Sequence, residues 1–559
     1  MSASDKKKLR KEQQNAALTE KQQAEQKKQK TLKSYTLTFV IAMVLVVAIV
    51  LVSVLQAPVT TLLMKNTNSL TVNDHQIDSV EFNYFYKDSI SSFYNQFSSA
   101  GDYQNMYVQM YTGLNPAEPL EDQVYDKESG ETWADYFIDD AIESAKWTYA
   151  IYDAAVAAGH KLTDDEKKSL ETLETTYDYY AMYFGYQDGN AYLKSMYGSS
   201  ASMDTYMEYC EINTMATSFA SAFVEALDFG DKDFREHEKD KMQEYNTYSY
   251  AYVYLNSANY LTGGTTVKGE DGKETTTYSD EEKKAAVELA LKDAQALAVE
   301  GNNDVTKLNL AISKLTTKGL PKEATESKAL YSKLPTLEEM KEWISDEKRE
   351  AGDITYIPYT THTHAEGEEH SDDEDESKHE TVNGYYVVLY LDTIDNTMPI
   401  GTVRHLLVKW ELDNDKEEPT DKQKNDAKAE AEKLLKEYQD GKKTEEAFIE
   451  LVKKHTDDTA SKSSGGLIEN IHPDAGYVES FTKWATAEHK EGDVEIIESE
   501  YGYHIMYYVE AAELNYRDTL INNDLESEAY ESWQESLLEK AKVTEGNMKF
   551  VDRDMVISH

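Results

Sequence analysis

The chain is 559 residues long and has one cysteine, Cys210. No intramolecular disulfide can form, so packing and hydrogen bonding must hold the fold together. Cys210 also lies in a helical stretch far from the only candidate membrane segment, which excludes it as a lipid-attachment site. Basic residues are scarce: 57 Lys and Arg stand against 105 Asp and Glu, a formal net charge of −48. Such a surface repels phosphate and excludes nucleic acid as a partner. Solubility is the plain consequence of this acidity; attraction of cationic segments of other chains, or of cations in a cell wall, is the sharper one. The first 34 residues reverse the sign, with ten cations, among them Lys6, Arg10 and Lys33, against four acids.

Long apolar runs are scarce as well. Residues 37–55 are nineteen positions without a charge, enough as a helix to cross a bilayer core. The basic flank places the N-terminus on the cytoplasmic side and the remainder outside. A cleaved signal peptide competes with this reading. The long polar N-region, the length of the run, and Pro58 directly after Ala57 speak against it. The sequence therefore predicts a basic cytoplasmic tail over 1–34 and a transmembrane anchor over 35–57.

The most informative stretch is 403–509, which opens and closes with a histidine on a short apolar run: Arg404-His405-Leu406-Leu407-Val408 and Gly502-Tyr503-His504-Ile505. Both runs read as strands. Between them Thr420 can cap a helix whose Ala427, Ala431, Leu434 and Tyr438 share one face and which Gly441 stops. A second helix at 445–454 leads into Asp457-Asp458, and the loop ends at Ser464-Gly465-Gly466.

This order of pieces, with the Phe481 helix and Gly492-Asp493-Val494, resembles the parvulin family of peptidyl-prolyl cis/trans isomerases (rotamases with a PpiC domain). The resemblance implies paired histidines, His405 and His504, on neighbouring central strands. It places Asp458 where family members carry a cysteine or an aspartate, and Tyr477, Phe481 and Ile468 around the proline ring. Rotation about an X-Pro bond requires no nucleophile, metal or cofactor. Two rings side by side can share one hydrogen bond and fix each other's tautomer. The chain departs from the family pattern in three places. Leu467-Ile468-Glu469 follows Gly-Gly instead of Asp-Leu-Gly. Tyr501 stands where a small hydroxyl residue is common and threatens to crowd the site. The acidic 411–420 loop lacks an Arg cluster, which disfavours phosphorylated Ser/Thr-Pro substrates.

The rest of the chain extends the resemblance to foldases of the PrsA/SurA type. Residues 68–240 read as a helical chaperone region, opened by a strand, an Asn73-Asp74 turn and a helix capped by Asp78 or Ser79. The aromatics Tyr84, Phe85, Tyr86, Phe93, Tyr94, Phe97, Tyr107 and Tyr111 recur at helical spacing, as does Met110, a pattern more often core than binding surface. Residues 246–394 read as a degenerate parvulin-like copy, with a Tyr248, Tyr250, Tyr252, Tyr254 strand and tyrosines, Tyr250 and Tyr386, at the histidine positions. Its insert 361–380 holds His362, His364, His370 and His379 among acids. That is a possible zinc or nickel ligand set, but one with almost no apolar residue to pre-form a site. Residues 398–511 form the isomerase domain, and by resemblance 512–559 return as a helical segment to the chaperone region.

The overall expectation is an α+β chain behaving as a membrane-anchored extracytoplasmic foldase. It would isomerise X-Pro bonds in exported polypeptides and hold unfolded chains. A non-catalytic holdase of the same architecture is the alternative, a metal-buffering surface protein a weaker one, and a dimer is left open.

Overall fold

The computed structural model describes residues 2–12, 43, 58–268, 274–362, 380–412 and 418–557. The anchor expected over 35–57 lies outside the described residues apart from Met43, and so do His364, His370 and His379 of the insert. Among the described residues, no helix is long and apolar enough to cross a membrane, and no group of His, Cys, Asp and Glu is placed to hold a metal ion. The described chain is mixed α and β. It forms two compact units, residues 1–227 with 528–559, and residues 228–527.

In the first unit, strands β1 (Asn68–Val72) and β2 (His75–Asp78) turn at Asn73, whose φ of 53° suits an asparagine. Asp78 then accepts from the Val80 and Glu81 amides at 2.8 and 3.0 Å and starts helix α1 (Ser79–Asn95). The further helices are α2 (Gln104–Thr112), α3 (Trp133–Ala158), α4 (Asp164–Phe184), α5 (Gly189–Tyr197) and α6 (Met203–Glu225). Thr132 and Thr163 open α3 and α4 with reciprocal capping boxes. A C-terminal strand, Val543–Glu545, pairs antiparallel with β1. The core reading of the aromatic stripe holds on α1, where Tyr84, Phe85 and Tyr86 are buried, and fails on α2, where Met110 and Tyr111 are 60% and 65% exposed.

The second unit opens with helix α7 (Asp231–His237) and contains two four-stranded antiparallel sheets. The elements of the first are β3 (Thr247–Asn256), β4 (Thr265–Lys268), β5 (Glu274–Thr277), α8 (Asp280–Glu300), α9 (Val305–Ile312), β6 (Thr325–Leu330), α10 (Glu338–Ser345), β7 (Ile354–His362) and β8 (Glu380–Ile394). Those of the second are β9 (Pro399–Lys409), α11 (Asp421–Asp440), α12 (Glu445–His455), β10 (Leu467–Ile471), α13 (Glu479–Ala485), β11 (Val494–Glu498) and β12 (Gly502–Asn515). Helix α14 (Tyr516–Leu538) follows.

The sheets run β6-β3-β8-β7 and β10-β9-β12-β11, one strand order used twice, with the β4–β5 hairpin set apart. Register makes the equivalence residue by residue. Gly384 and Tyr386 face Asn256 and Tyr254, and Gly502 and His504 face Lys409 and Leu407. Tyr252, rather than Tyr250, therefore occupies the place of His405. The sequence reading is off by two because a shift of two residues leaves every side chain on its own face, so alternation cannot detect it.

Alternation also divides the second sheet. Leu406, Val408, Ile505 and Tyr507 pack with Ala431, Leu434 and Phe448 of α11 and α12. Val403, Met506 and Tyr508 pack with Phe481 and Trp484 of α13. His405 and His504 fall on the α13 side. Where α14 begins, buried Arg517 meets buried Glu238 at 2.6 Å and donates to the carbonyls of Met242 and Asp395.

Candidate active site

Chain topology brings the two histidines together from 99 positions apart. β9 and β12 are neighbours, His405 faces Met506, and His504 faces Leu407, so the imidazoles are diagonal partners on one face. Their Nδ1 atoms lie 3.1 Å apart, and the rings stack with centroids at 5.3 Å. Both are buried.

Asp458 reaches them because its loop is strapped to β9. Thr456 Oγ1 accepts from the amides of Leu407 and Asp458, and Asp457 N–H donates to the Leu407 carbonyl at 2.9 Å. Asp458 Oδ2 then lies 3.0 Å from His405 Nε2. The Gly465-Gly466 end of the loop is equally constrained. The Gly466 carbonyl accepts from His405 N–H, and a Cβ on Gly466 would stand 2.2 Å from the His405 carbonyl oxygen. With φ at +75°, only glycine lets the loop lie against the strand that carries the histidine.

Electrostatics fix the direction of the hydrogen bonds. Burial lowers the pKa of both histidines; His504, with His405 beside it, falls to about 4, while Asp458 partly offsets the effect on His405. Burial would raise the Asp458 carboxyl, but the Ser461 hydroxyl, the Ala460 amide and His405 together hold it below the ordinary carboxylate value. At neutral pH the rings are uncharged and the carboxylate is ionised. A carboxylate only accepts, so His405 Nε2 carries a proton and its Nδ1 is bare. That bare Nδ1 must accept from His504 Nδ1–H. His504 Nε2 in turn accepts from the Ser499 hydroxyl at 2.8 Å. One polarised chain thus runs Ser499, His504, His405, Asp458, with Ser461 donating to the same carboxylate oxygen and its hydroxyl 3.2 Å from His405 Nε2.

An apolar wall stands beside this chain. Phe481 is buried and meets both imidazoles edge-on, at 5.3 and 5.5 Å between centroids. Tyr477, 42% exposed, lies 5.5 Å from Phe481, and Ile468 packs on the same cluster as Phe481 and Met506. Tyr501 does not crowd the site: it is 55% exposed, and the hydroxyl at His504 comes from Ser499, two residues earlier. The sequence reading missed Ser499, Ser461 and Met506. Ser461 stood inside the loop it identified, whereas Ser499 acts across a tight turn, where Ser499 N–H donates to the Gly502 carbonyl, and no periodicity marks it.

Residues 405–510 match the family described as rotamase, the PPIC-type PPIASE domain. They are a PPIC-type domain. The match begins within β9 at His405 and ends within β12, and it contains the Asp458 loop between them. No curated protein matches the chain. Among solved structures, it is similar to a peptidylprolyl isomerase (PrsA) from Bacillus anthracis, with 26% identity over 26% of this chain and 59% of that one, at a TM-score of 0.17. A PrsA from Bacillus cereus is 25% identical over 28% and 57% at 0.17, and PrsA from Bacillus subtilis is 24% identical over 25% and 50% at 0.15. The chain thus spans little more than half the length of these structures. At such TM-scores they carry no argument about overall architecture, and the assignment rests on the PPIC-type match.

Proposed function

We propose that the chain is a peptidyl-prolyl cis/trans isomerase and foldase, acting through its PPIC-type domain on proline-containing polypeptides. The observation that carries this reading is the Ser499–His504–His405–Asp458 hydrogen-bond chain lying against Phe481. Rotation about a peptide bond is opposed by about 18–20 kcal/mol of barrier, because C–N resonance must be broken. That resonance places negative charge on the carbonyl oxygen. An ionised, partly desolvated Asp458 beside the amide disfavours the planar form more than the twisted one, whose oxygen has lost that charge. Phe481, Tyr477 and Ile468 would hold the pyrrolidine ring and keep water from the amide. The histidines keep Asp458 and its loop in place and remain neutral themselves. Neither nucleophile nor cofactor enters this scheme.

The helical unit supports a holding role. Tyr103, Tyr111, Met182 and Tyr183 expose between 64% and 72% of their surface on and beside α2 and on α4, an amphipathic surface suited to unfolded chains. The charge-free run at 37–55 after a basic tail supports anchoring, with the bulk of the chain outside the cytoplasm. The first sheet, with tyrosines at both histidine positions, is a copy without isomerase chemistry. A prolyl-peptide exchange assay tests the enzyme reading. His405→Ala and Asp458→Ala should each lower kcat/KM by about 30-fold or more, equivalent to at least ~2 kcal/mol. Equal rates for both variants and wild type would leave only a chain-holding protein.

A further inference from the structure

The first sheet keeps a cleft where the second keeps its site. Beside Tyr252 and Tyr386, which occupy the places of His405 and His504, lies a cavity of about 440 Å³ lined by Tyr250, Tyr252, Leu337, Met340, Tyr359 and Tyr386, with Pro335 and Thr336 at one side. The correspondence reaches the wall. Glu339-Met340-Lys341-Glu342-Trp343 on α10 matches Ser480-Phe481-Thr482-Lys483-Trp484 on α13, so Met340 stands for Phe481 and belongs to the same apolar cluster as Tyr250 and Tyr252. The volume falls within the range of about 300–1,000 Å³ typical of ligand clefts.

The change in chemistry is specific. Among the described residues no carboxylate or imidazole lines the cavity, so none of them can form the charged chain of the second copy. A ladder of phenol rings takes its place: Tyr252 lies 6.1 Å from Tyr386, Tyr386 stacks on Tyr254 at 4.6 Å, and Tyr359 meets both Tyr254 and Tyr386 edge-on. Aromatic-lined grooves favour the pyrrolidine rings of a polyproline II segment, whose order is already set before binding. Tyr254 OH donates to the Asn383 carbonyl, and the cavity-lining phenols of Tyr252, Tyr359 and Tyr386 can donate to a peptide carbonyl. We infer that the first copy is a binding site for extended proline-containing peptide that does not isomerise it, a second proline-reading site on the same chain. The inference rests on the equivalence of the two sheets and does not require the second copy to be an active enzyme.

Titration calorimetry on the full-length chain, with the blocked peptide Ala-Leu-Pro-Leu-Ala and its Leu-Ala-Leu counterpart, tests it. Phe481→Ala removes the wall of the PPIC-type site. This variant should still bind the proline peptide, at least about tenfold more tightly than the counterpart. Adding Tyr386→Ala should weaken that binding by about tenfold or more, and so should adding Tyr359→Ala at the exposed rim, where folding is not at stake. In an otherwise wild-type chain, Tyr359→Ala should leave the isomerisation rate within about twofold. Loss of all binding in Phe481→Ala, equal affinity for the two peptides, or indifference to both tyrosine changes would overturn the inference. Binding retained by Phe481→Ala, together with no isomerase activity in the wild-type chain, would overturn the proposed function alone.

Discussion

Changing pH should move the two units in opposite directions. His504 has an ordinary pKa of 6.5 and is held at about 4 in the fold, where burial and the neighbouring His405 penalise the charged ring. Folding thus favours its neutral form. Above pH 6.5 that contribution is fully present, and as pH falls from 6.5 to 4 the unfolded chain takes up the proton first and stability is lost. At 1.36 kcal/mol per pKa unit the loss reaches about 3 kcal/mol. Asp458, held below its ordinary value, adds a loss of the same sign at still lower pH. Glu81 behaves oppositely. Burial raises it from 4.5 to about 7; the Tyr149 hydroxyl pulls the other way, and Asp78 and Glu208 add to the rise. Folding favours its protonated form, so its contribution is full below pH 4.5 and is lost as pH rises from 4.5 to 7, by up to about 3 kcal/mol. Asp88, buried beneath Tyr197 and Tyr209, shifts the same way.

Scanning calorimetry between about pH 4.5 and 7 should therefore show one transition rising and the other falling, each by up to roughly 6–12 °C at 2–4 °C per kcal/mol. His504→Phe should flatten the rising transition and Glu81→Gln the falling one. In the same window kcat/KM should stay level through the ordinary histidine value and fall only below it, since both rings are held below that value and act while neutral. Transitions that move together, or an activity inflection near the ordinary histidine value, would refute the buried neutral pair.

Three further outcomes follow from particular contacts. Ser499→Ala leaves His504 Nε2 without its donor, a cost of about 1–3 kcal/mol, and should lower kcat/KM by roughly 5-fold or more, with Ser499→Thr restoring most of it. Gly466→Ala sets a Cβ 2.2 Å from the His405 carbonyl oxygen at positive φ, so both melting temperature and kcat should fall, with at least about 1–2 kcal/mol lost in denaturant unfolding. Arg517→Met takes one of two guanidinium partners from the buried Glu238 carboxylate, leaving Arg235, and should cost about 1–3 kcal/mol by the same measurement, less than the about 3–5 kcal/mol of a fully stranded charge.

Much of this architecture is written in short-range signals. Asp78 and Thr420 cap helices where the sequence reading put them, and Ala427, Ala431, Leu434 and Tyr438 are buried on one face. His405, Asp458 and His504 were legible as a set because the order of elements, rather than any single residue, brings them together. What escaped the sequence depends on distance in space. Ser499 bonds His504 only because β11 and β12 turn back sharply at Gly502, and its exposed neighbour Tyr501 was the more conspicuous candidate. Tyr250 and Tyr252 share a face, so choosing between them needs the cross-strand register. Tyr107 and Tyr111 have the same spacing as the buried rings of α1, and only the packing of other helices decides which are covered.

The two sheets show which parts of this scaffold are tied to chemistry. Strand order, the glycine two residues before Tyr386 and His504 (Gly384 and Gly502), and the bond from Gly352 or Gly492 to the carbonyl of Tyr390 or Tyr508 are common to both. These features set the short helix, α10 or α13, against one face of its sheet, with a cleft between them at α10. The parts that differ are the imidazoles, the carboxylate loop and the glycines that press it against β9. Asp458 without Gly466 would have no place beside His405, and His405 without Asp458 would lose the partner that sets its tautomer. The charged chain is therefore gained or lost as a set, while the cleft needs only the sheet and one apolar residue from the short helix. Under the inference drawn above, the first sheet offers a place for a proline ring without the loop, and Tyr252 and Tyr386 supply the surface to hold it.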